Sequence, residues 1–217
     1  MIEHTNLRPE ATPSQIGQLC EEALEFGFAA VVVNPCYVSL AAPKLKDRGV
    51  RLVSVAGFPL GANLSQVKQF EAAEALRCGA QEIDVVLNIG ALKASDLALV
   101  EADIRTVAET VSAQQAVLKV ILETGLLSDA EKVAACQISV KARAAFVKTS
   151  TGFLGPGATA EDVALLRRVV GPEVGVKASG GIKTLIQARQ MIAAGANRIG
   201  TSSGVTIIRE MRGSAAE

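Results

Sequence analysis

Four charged side chains stand inside runs that otherwise suit burial. Asp84 lies within Glu82-Ile83-Asp84-Val85-Val86-Leu87, Lys119 within Val117-Leu118-Lys119-Val120-Ile121, Lys148 within Phe146-Val147-Lys148-Thr149 and Lys177 within Val174-Gly175-Val176-Lys177. An isolated buried ammonium or carboxylate is costly enough that such groups are paired or neutralised. Mutual ion pairing accounts for any one of them alone. Three lysines and one acid at corresponding places on four segments point instead to chemistry, because a purely structural network is not expected to carry an excess of ammonium groups. Lys148 and Lys177 fall about one strand-plus-helix unit apart and should be neighbours. Two adjacent ammonium groups in a desolvated site each favour the other's neutral form, and burial pushes the same way, so at least one of these lysines should have a lowered pKa. A neutral lysine is a nucleophile suited to forming a Schiff base with a carbonyl substrate. Asp84 is placed to move protons during dehydration and carbon–carbon cleavage, directly or through a water. Lys119 suits the role of a partner to Asp84 or Glu123 better than direct catalysis.

Downstream lie two Gly/Ser turns, Ser179-Gly180-Gly181-Ile182-Lys183 and Gly200-Thr201-Ser202-Ser203-Gly204, each between a predicted strand and a predicted helix. Glycine lets backbone N–H groups approach a ligand and a helix N-terminus favours an anion, so the pair predicts a phosphate site. Thr149-Ser150-Thr151-Gly152, directly after Lys148, is placed to close the same pocket.

These residues need a scaffold. Short β-branched runs recur at Phe28–Asn34, Arg51–Phe58, Gln81–Asn88, Val117–Glu123, Ala145–Thr151, Val174–Ser179 and Asn197–Ser202, with Ile2–Thr5 as a shorter eighth. Helical periodicity fills the gaps: Pro13–Phe26, Tyr37–Asp47, Leu64–Cys78, Asp96–Val111, Asp129–Ala142, Ala160–Val170, Thr184–Ala194 and Val205–Met211. The strands are near-continuous apolar runs, as in a parallel sheet covered by helices. Eight such units in 217 residues predict one compact (β/α)8 TIM barrel of class α/β over residues 1–217, with an open doubly wound sheet as second choice. In a barrel the polar strand ends would gather at one rim, where barrel chemistry sits.

Composition excludes other classes. With 22 basic and 22 acidic residues the net charge is zero, so no global field draws the chain to nucleic acid or anionic membrane. No apolar run reaches transmembrane length, and the start lacks a basic, apolar leader, which predicts a cytoplasmic protein. Cys20, Cys36, Cys78 and Cys136 show no C-x-x-C pairing and are expected to be reduced, with Cys36 read as a packing residue. His4, the one histidine, is expected to be structural. Asp84, Glu82 and Glu123 are acids of the type that hold a hard cation, but the nearby lysines compete, so neither a metal nor a cofactor is expected.

The chain resembles the deoxyribose-phosphate aldolase family almost from end to end. The resemblance rests on His4-Thr5, Val33-Asn34-Pro35, Gly57-Phe58-Pro59-Leu60-Gly61, Glu82-Ile83-Asp84-Val85-Val86, Leu118-Lys119-Val120-Ile121-Leu122-Glu123-Thr124, Phe146-Val147-Lys148-Thr149-Ser150-Thr151-Gly152, Val176-Lys177-Ala178-Ser179-Gly180-Gly181 and Gly200-Thr201-Ser202-Ser203. It implies a class I aldolase that cleaves 2-deoxyribose 5-phosphate to glyceraldehyde 3-phosphate and acetaldehyde. By it Lys148 is the Schiff-base lysine, Lys177 the neighbour that depresses its pKa, and Asp84 the proton-transfer acid. Phosphate contacts fall on Gly152, Gly180, Gly181, Gly200, Ser202 and Ser203. Three departures stand out: the sequence opens almost at its first strand, it ends at Ala216-Glu217 without the C-terminal tyrosine that some members use, and Glu3 and Arg8 replace Asp and Lys. Water, Asp84 or Lys177 would then take over that tyrosine's proton, with slower turnover expected.

The expected partner is a small phosphosugar, and the chain itself is expected to form a homo-oligomer, a dimer or tetramer. Two competing readings are a metal-free sugar-phosphate isomerase and a non-catalytic phosphosugar-binding barrel, neither of which needs the Lys148/Lys177 pair.

Overall fold

In the computed structural model, which describes residues 1–213, eight parallel strands close into a barrel in sequence order. They are β1 (Ile2–Asn6), β2 (Ala30–Val33), β3 (Arg51–Ala56), β4 (Glu82–Val86), β5 (Val117–Ile121), β6 (Phe146–Lys148), β7 (Gly175–Ser179) and β8 (Arg198–Thr201). The helices around them are α1 (Pro13–Phe26), α2 (Val38–Leu45), α3 (Ser65–Arg77), α4 (Ile89–Lys93), α5 (Leu97–Ala113), α6 (Asp129–Lys141), α7 (Ala160–Val170), α8 (Leu185–Ala193) and α9 (Gly204–Gly213). The expected (β/α)8 architecture is present, and each anticipated strand has its counterpart. The C-terminal residues on which the missing-tyrosine expectation bears lie outside the described residues.

Helix starts follow local chemistry. Thr12, Ser128 and Thr184 each accept a hydrogen bond from the backbone N–H three residues on, and Gln15, Glu131 and Gln187 answer with their own side chains, forming capping boxes at α1, α6 and α8. Such a cap contributes about 1 kcal/mol to its helix. Pro13 opens α1, where its missing N–H costs nothing. α4 was not anticipated; Asn88 caps it, accepting from the Ala91 N–H at 3.0 Å, and at five residues it is too short to show a period.

Between strands and helices lies one large apolar core that includes Ile16, Leu19, Val31, Ile83, Val85, Ile104, Val120 and Leu166. The inside of the barrel is different. Side chains alternate across a strand, so register decides which residues share the interior. Val32 pairs with Val53, Val55 with Asp84, Asp84 with Lys119, Lys148 with Lys177, and Glu3 with both Ala30 and Gly200. On the β2 and β3 side Ala30, Val32, Val53 and Val55 join Leu7 in a separate small apolar cluster, with Phe58 against it. The opposite side, from β4 round to β1, carries the charges.

Candidate active site

Six ionisable groups fill the charged half of the barrel, all nearly or fully inaccessible: Glu3, Glu82, Asp84, Lys119, Lys148 and Lys177. Asp84 is the hub. Its Oδ1 accepts from Lys119 Nζ at 2.9 Å, and its Oδ2 accepts from both Lys148 Nζ at 2.9 Å and Lys177 Nζ at 2.7 Å. Lys177 also donates to Glu3, and Lys119 lies 2.6 Å from Glu82 and 3.7 Å from Glu3. The expected excess of ammonium groups therefore does not hold. Glu3 and Glu82 bring the carboxylates to three against three lysines, and Lys119 turns to Asp84 and not to Glu123. Glu82 shares its strand face with Asp84 at a two-residue spacing; Glu3, in the short first strand, offered no such signal.

Equal numbers do not make the lysines equivalent. Burial is the largest influence and drives the Lys148 amine down; Asp84 opposes this, Lys177 reinforces it, and the outcome is a pKa of about 8. Lys119 is also driven down by burial, but Asp84, Glu3 and Glu82 together overcome that and raise it above the ordinary lysine value. Burial pushes the Asp84 carboxyl up, yet Lys119, Lys148 and Lys177 outweigh it and hold the group well below the usual carboxylate range. Glu3 is held down in the same manner, by Lys119 and Lys177 against its own burial. Unit charges 4 Å apart interact by about 4 kcal/mol at an effective dielectric near 20. One more or one fewer neighbouring charge therefore decides which lysine loses its proton.

The strands also make room for this network. A Cβ on Gly200 of β8 would stand 3.0 Å from Lys177 Cε and from Ser179 Cβ, so a side chain there would displace the lysine. Gly200 thus serves Lys177 as well as the turn in which it was anticipated.

Above the network opens a cavity of about 820 Å³. Lys148 is the one member of the six that lines it among the described residues; Asp84 and Lys177 sit beneath. Five of the six anticipated phosphate residues line it too: Gly152, Gly180, Gly181, Gly200 and Ser202. Ser203 is not in the lining, and its backbone N–H donates to Thr201 Oγ1 at 2.9 Å. The loops after β6 and β7 touch so closely that a Cβ on Gly180, at φ +90°, would lie 2.9 Å from Gly157 Cα. Lys183 and Arg8 also reach the cavity wall.

An aromatic contact beside the cavity was missed. Phe153 lines the cavity and meets Phe58 edge-on, ring centroids 5.3 Å apart at 84°. Phe58 was legible only as part of a motif, and nothing in the spacing coupled it to Phe153. His4 packs on Phe28, with Nε2 2.7 Å from Glu22 Oε2, and His4 and Glu22 form part of the cavity lining. Cys36, read as packing, is exposed in a short 3-10 turn, Pro35–Tyr37, because the chain leaves the barrel wall at Asn34. The one tyrosine, Tyr37, donates its hydroxyl to the Ala11 carbonyl.

A parallel eight-stranded barrel with an amine at the floor of a Gly/Ser-rimmed cavity belongs structurally with the (β/α)8 enzymes. Residues 2–210 match the model of the DeoC/LacD family aldolases, and the chain belongs to that family. The deoxyribose-phosphate aldolase of Halalkalibacterium halodurans is 55% identical over 213 residues, covering 98% of this chain and 95% of that protein. The enzyme of the same name from Listeria monocytogenes is 55% identical over 208 residues, covering 96% and 93%. Among solved structures, a putative deoxyribose-phosphate aldolase from Coccidioides immitis superposes with a TM-score of 0.94 at 46% identity, covering 97% of this chain and 84% of that one. The deoxyribose phosphate aldolase from Aeropyrum pernix, described as a unique tetramer, does so with a TM-score of 0.91 at 36% identity, covering 97% and 89%. Among the described residues no helix is long and apolar enough to cross a membrane.

Proposed function

We propose that this barrel is a class I aldolase that reversibly cleaves 2-deoxy-D-ribose 5-phosphate to D-glyceraldehyde 3-phosphate and acetaldehyde. The observation that carries this reading is the Lys148 amine, brought down to about 8 and lining the cavity, while Lys177 and Asp84 lie directly beneath it. At pH 7 an amine of pKa 8 is about one-tenth neutral, a few hundredfold more than an ordinary lysine. Lys148 attacks the C1 aldehyde of the open-chain sugar, water leaves, and the protonated imine takes up the electron pair released when C2–C3 breaks. Glyceraldehyde 3-phosphate departs; the enamine is protonated and hydrolysed to acetaldehyde, returning the amine. The proton of the C3 hydroxyl goes to Asp84 through a water. A carboxylate held so far below its usual range is a weak base, so its larger contribution is to hold both amines in place. Lys177 supplies the neighbouring positive charge that favours the neutral form of Lys148. The phosphate is held by backbone N–H groups and hydroxyls at Gly152, Gly180, Gly181, Gly200 and Ser202, the anticipated residues that line the cavity.

This reading takes residues 1–217 as one catalytic domain that works without a metal or cofactor on a small phosphosugar in the cytoplasm. The chain assembles as a homo-oligomer, a dimer or tetramer; the tetrameric Aeropyrum pernix relative supports this, as do Leu64 and Phe70, exposed on the α3 side. Incubation with 2-deoxyribose 5-phosphate should release acetaldehyde and triose phosphate in equal amounts. Interconversion without acetaldehyde would make the protein an isomerase, and binding without turnover would make it a phosphosugar-binding barrel.

A further inference from the structure

We infer that Glu123 is a positioning residue for the phosphate end of the cavity, acting through Thr151; this rests on the phosphate site proposed above. Glu123 lies two residues beyond the end of β5 and is 1% exposed. It adopts φ +58°, ψ +60°, a left-handed conformation that a residue with a Cβ avoids unless its surroundings impose it. Among the described residues its carboxylate makes no ion pair, although Lys119 stands on the strand just before it. A buried carboxylate without a cation needs strong donors. Glu123 Oε2 has two, both from one residue: the Thr151 backbone N–H at 3.1 Å and the Thr151 hydroxyl. Thr151 Oγ1 in turn accepts from the Phe153 N–H at 3.1 Å, so the carboxylate fixes the chain on both sides of Gly152.

The clamp belongs to a wider stitching of three loops. The Thr124 N–H donates to the Thr149 carbonyl at 2.9 Å, tying the loop after β5 to the loop after β6. Ser179 N–H donates to Thr149 Oγ1 at 3.0 Å and Ser179 Oγ to the Ser150 carbonyl at 2.6 Å, tying the loop after β6 to the Gly180-Gly181 turn. Glu123 is the acidic member of this set, and among the described residues no hydrogen bond or ion pair joins its side chain to Lys148, Lys177 or Asp84. Its consequence should therefore fall on recognition of the phosphate and not on the imine.

The test compares kcat/KM for 2-deoxyribose 5-phosphate with that for unphosphorylated 2-deoxyribose. Glu123→Gly accepts the positive φ while removing the carboxylate, so any loss reports the clamp and not the backbone. In it the preference for the phosphorylated sugar should fall about tenfold, mainly through KM, with the pH midpoint of the rate unmoved. Glu123→Gln, which keeps an oxygen facing Thr151, should hold the preference within about threefold of wild type. An undiminished preference in Glu123→Gly would overturn the inference. So would parallel losses on both sugars, or a tenfold loss in a folded Glu123→Gln protein. A wild-type protein indifferent to the phosphate would instead sink the phosphate site itself.

Discussion

Two buried lysines divide the molecule. Lys68 on α3 and Lys148 on β6 are both shut from solvent, both touch an aspartate, and burial lowers the pKa of each. Lys68 donates to Asp103 Oδ2 on α5 at 2.6 Å, while Ser65 Oγ donates to the other oxygen at 2.9 Å, so that carboxylate is fully occupied by its own neighbours. Nearby, Glu71 Oε2 accepts from the Gly57 N–H at 2.6 Å, and the whole assembly braces the loop that carries Phe58. Lys148 instead shares one carboxylate oxygen with Lys177 and lines the cavity. Burial is therefore common to a brace and a candidate nucleophile. What separates them is a second cation on the same oxygen and an opening toward substrate.

The largest expected difference is in turnover. Lys148→Leu should lower kcat by roughly 10⁴-fold or more while leaving the fold intact, because an apolar side chain replaces a desolvated amine and Asp84 retains two lysine partners. Steady-state assay with a thermal melt checks both halves. Lys68→Met should do the reverse. Removing one partner strands the Asp103 charge and costs about 3–5 kcal/mol of stability, read by chemical denaturation, with the Lys148 pH midpoint unchanged. Replacing both members, as Lys68→Met with Asp103→Leu, should recover most of that loss. If the single variant melted like wild type, the brace would have no structural role.

A smaller effect tests the shared oxygen. Only the neutral amine adds to a carbonyl, so kcat/KM should rise about tenfold per pH unit below the Lys148 pKa of about 8 and level off above it. Lys177→Met removes a charge that lowers Lys148 and leaves Asp84 Oδ2 to Lys148 alone; both changes favour the ammonium, so the midpoint should move alkaline by about one unit. Because Glu3 then keeps only Lys119 at 3.7 Å, and itself raises the Lys148 pKa, the midpoint is best compared between Glu3→Gln and Glu3→Gln with Lys177→Met. An unmoved midpoint would remove Lys177 from this role. The smallest effect concerns the contact between the two regions. Phe58, on the braced loop, meets Phe153, on the loop after Lys148, and Phe153→Ala should cost about 1 kcal/mol of stability by denaturation.

The same contrast explains what was legible in the sequence. Lys148, Lys177, Lys119 and Asp84 stood out because a charge inside an apolar strand is anomalous on its face, and β/α spacing placed them at one end of a barrel. Lys68 did not stand out. A lysine in a helix is ordinary, and Asp103, which makes it a buried pair, lies on another helix. Glu3 was hidden in the short first strand, so the network looked cationic when it is balanced. The Glu123 clamp was invisible for a related reason: its partner, Thr151, is met only through the closure of β5 against β6, and a positive φ on a glutamate leaves no mark in sequence.

The proposed reaction requires Lys148 to be the amine that captures the substrate carbonyl. Borohydride reduction with 2-deoxyribose 5-phosphate or acetaldehyde, followed by peptide mass mapping, tests this directly. The adduct should form on Lys148, with Lys68, Lys119 and Lys177 unmodified. An active protein with its adduct on another lysine, or with no adduct at all, would contradict it.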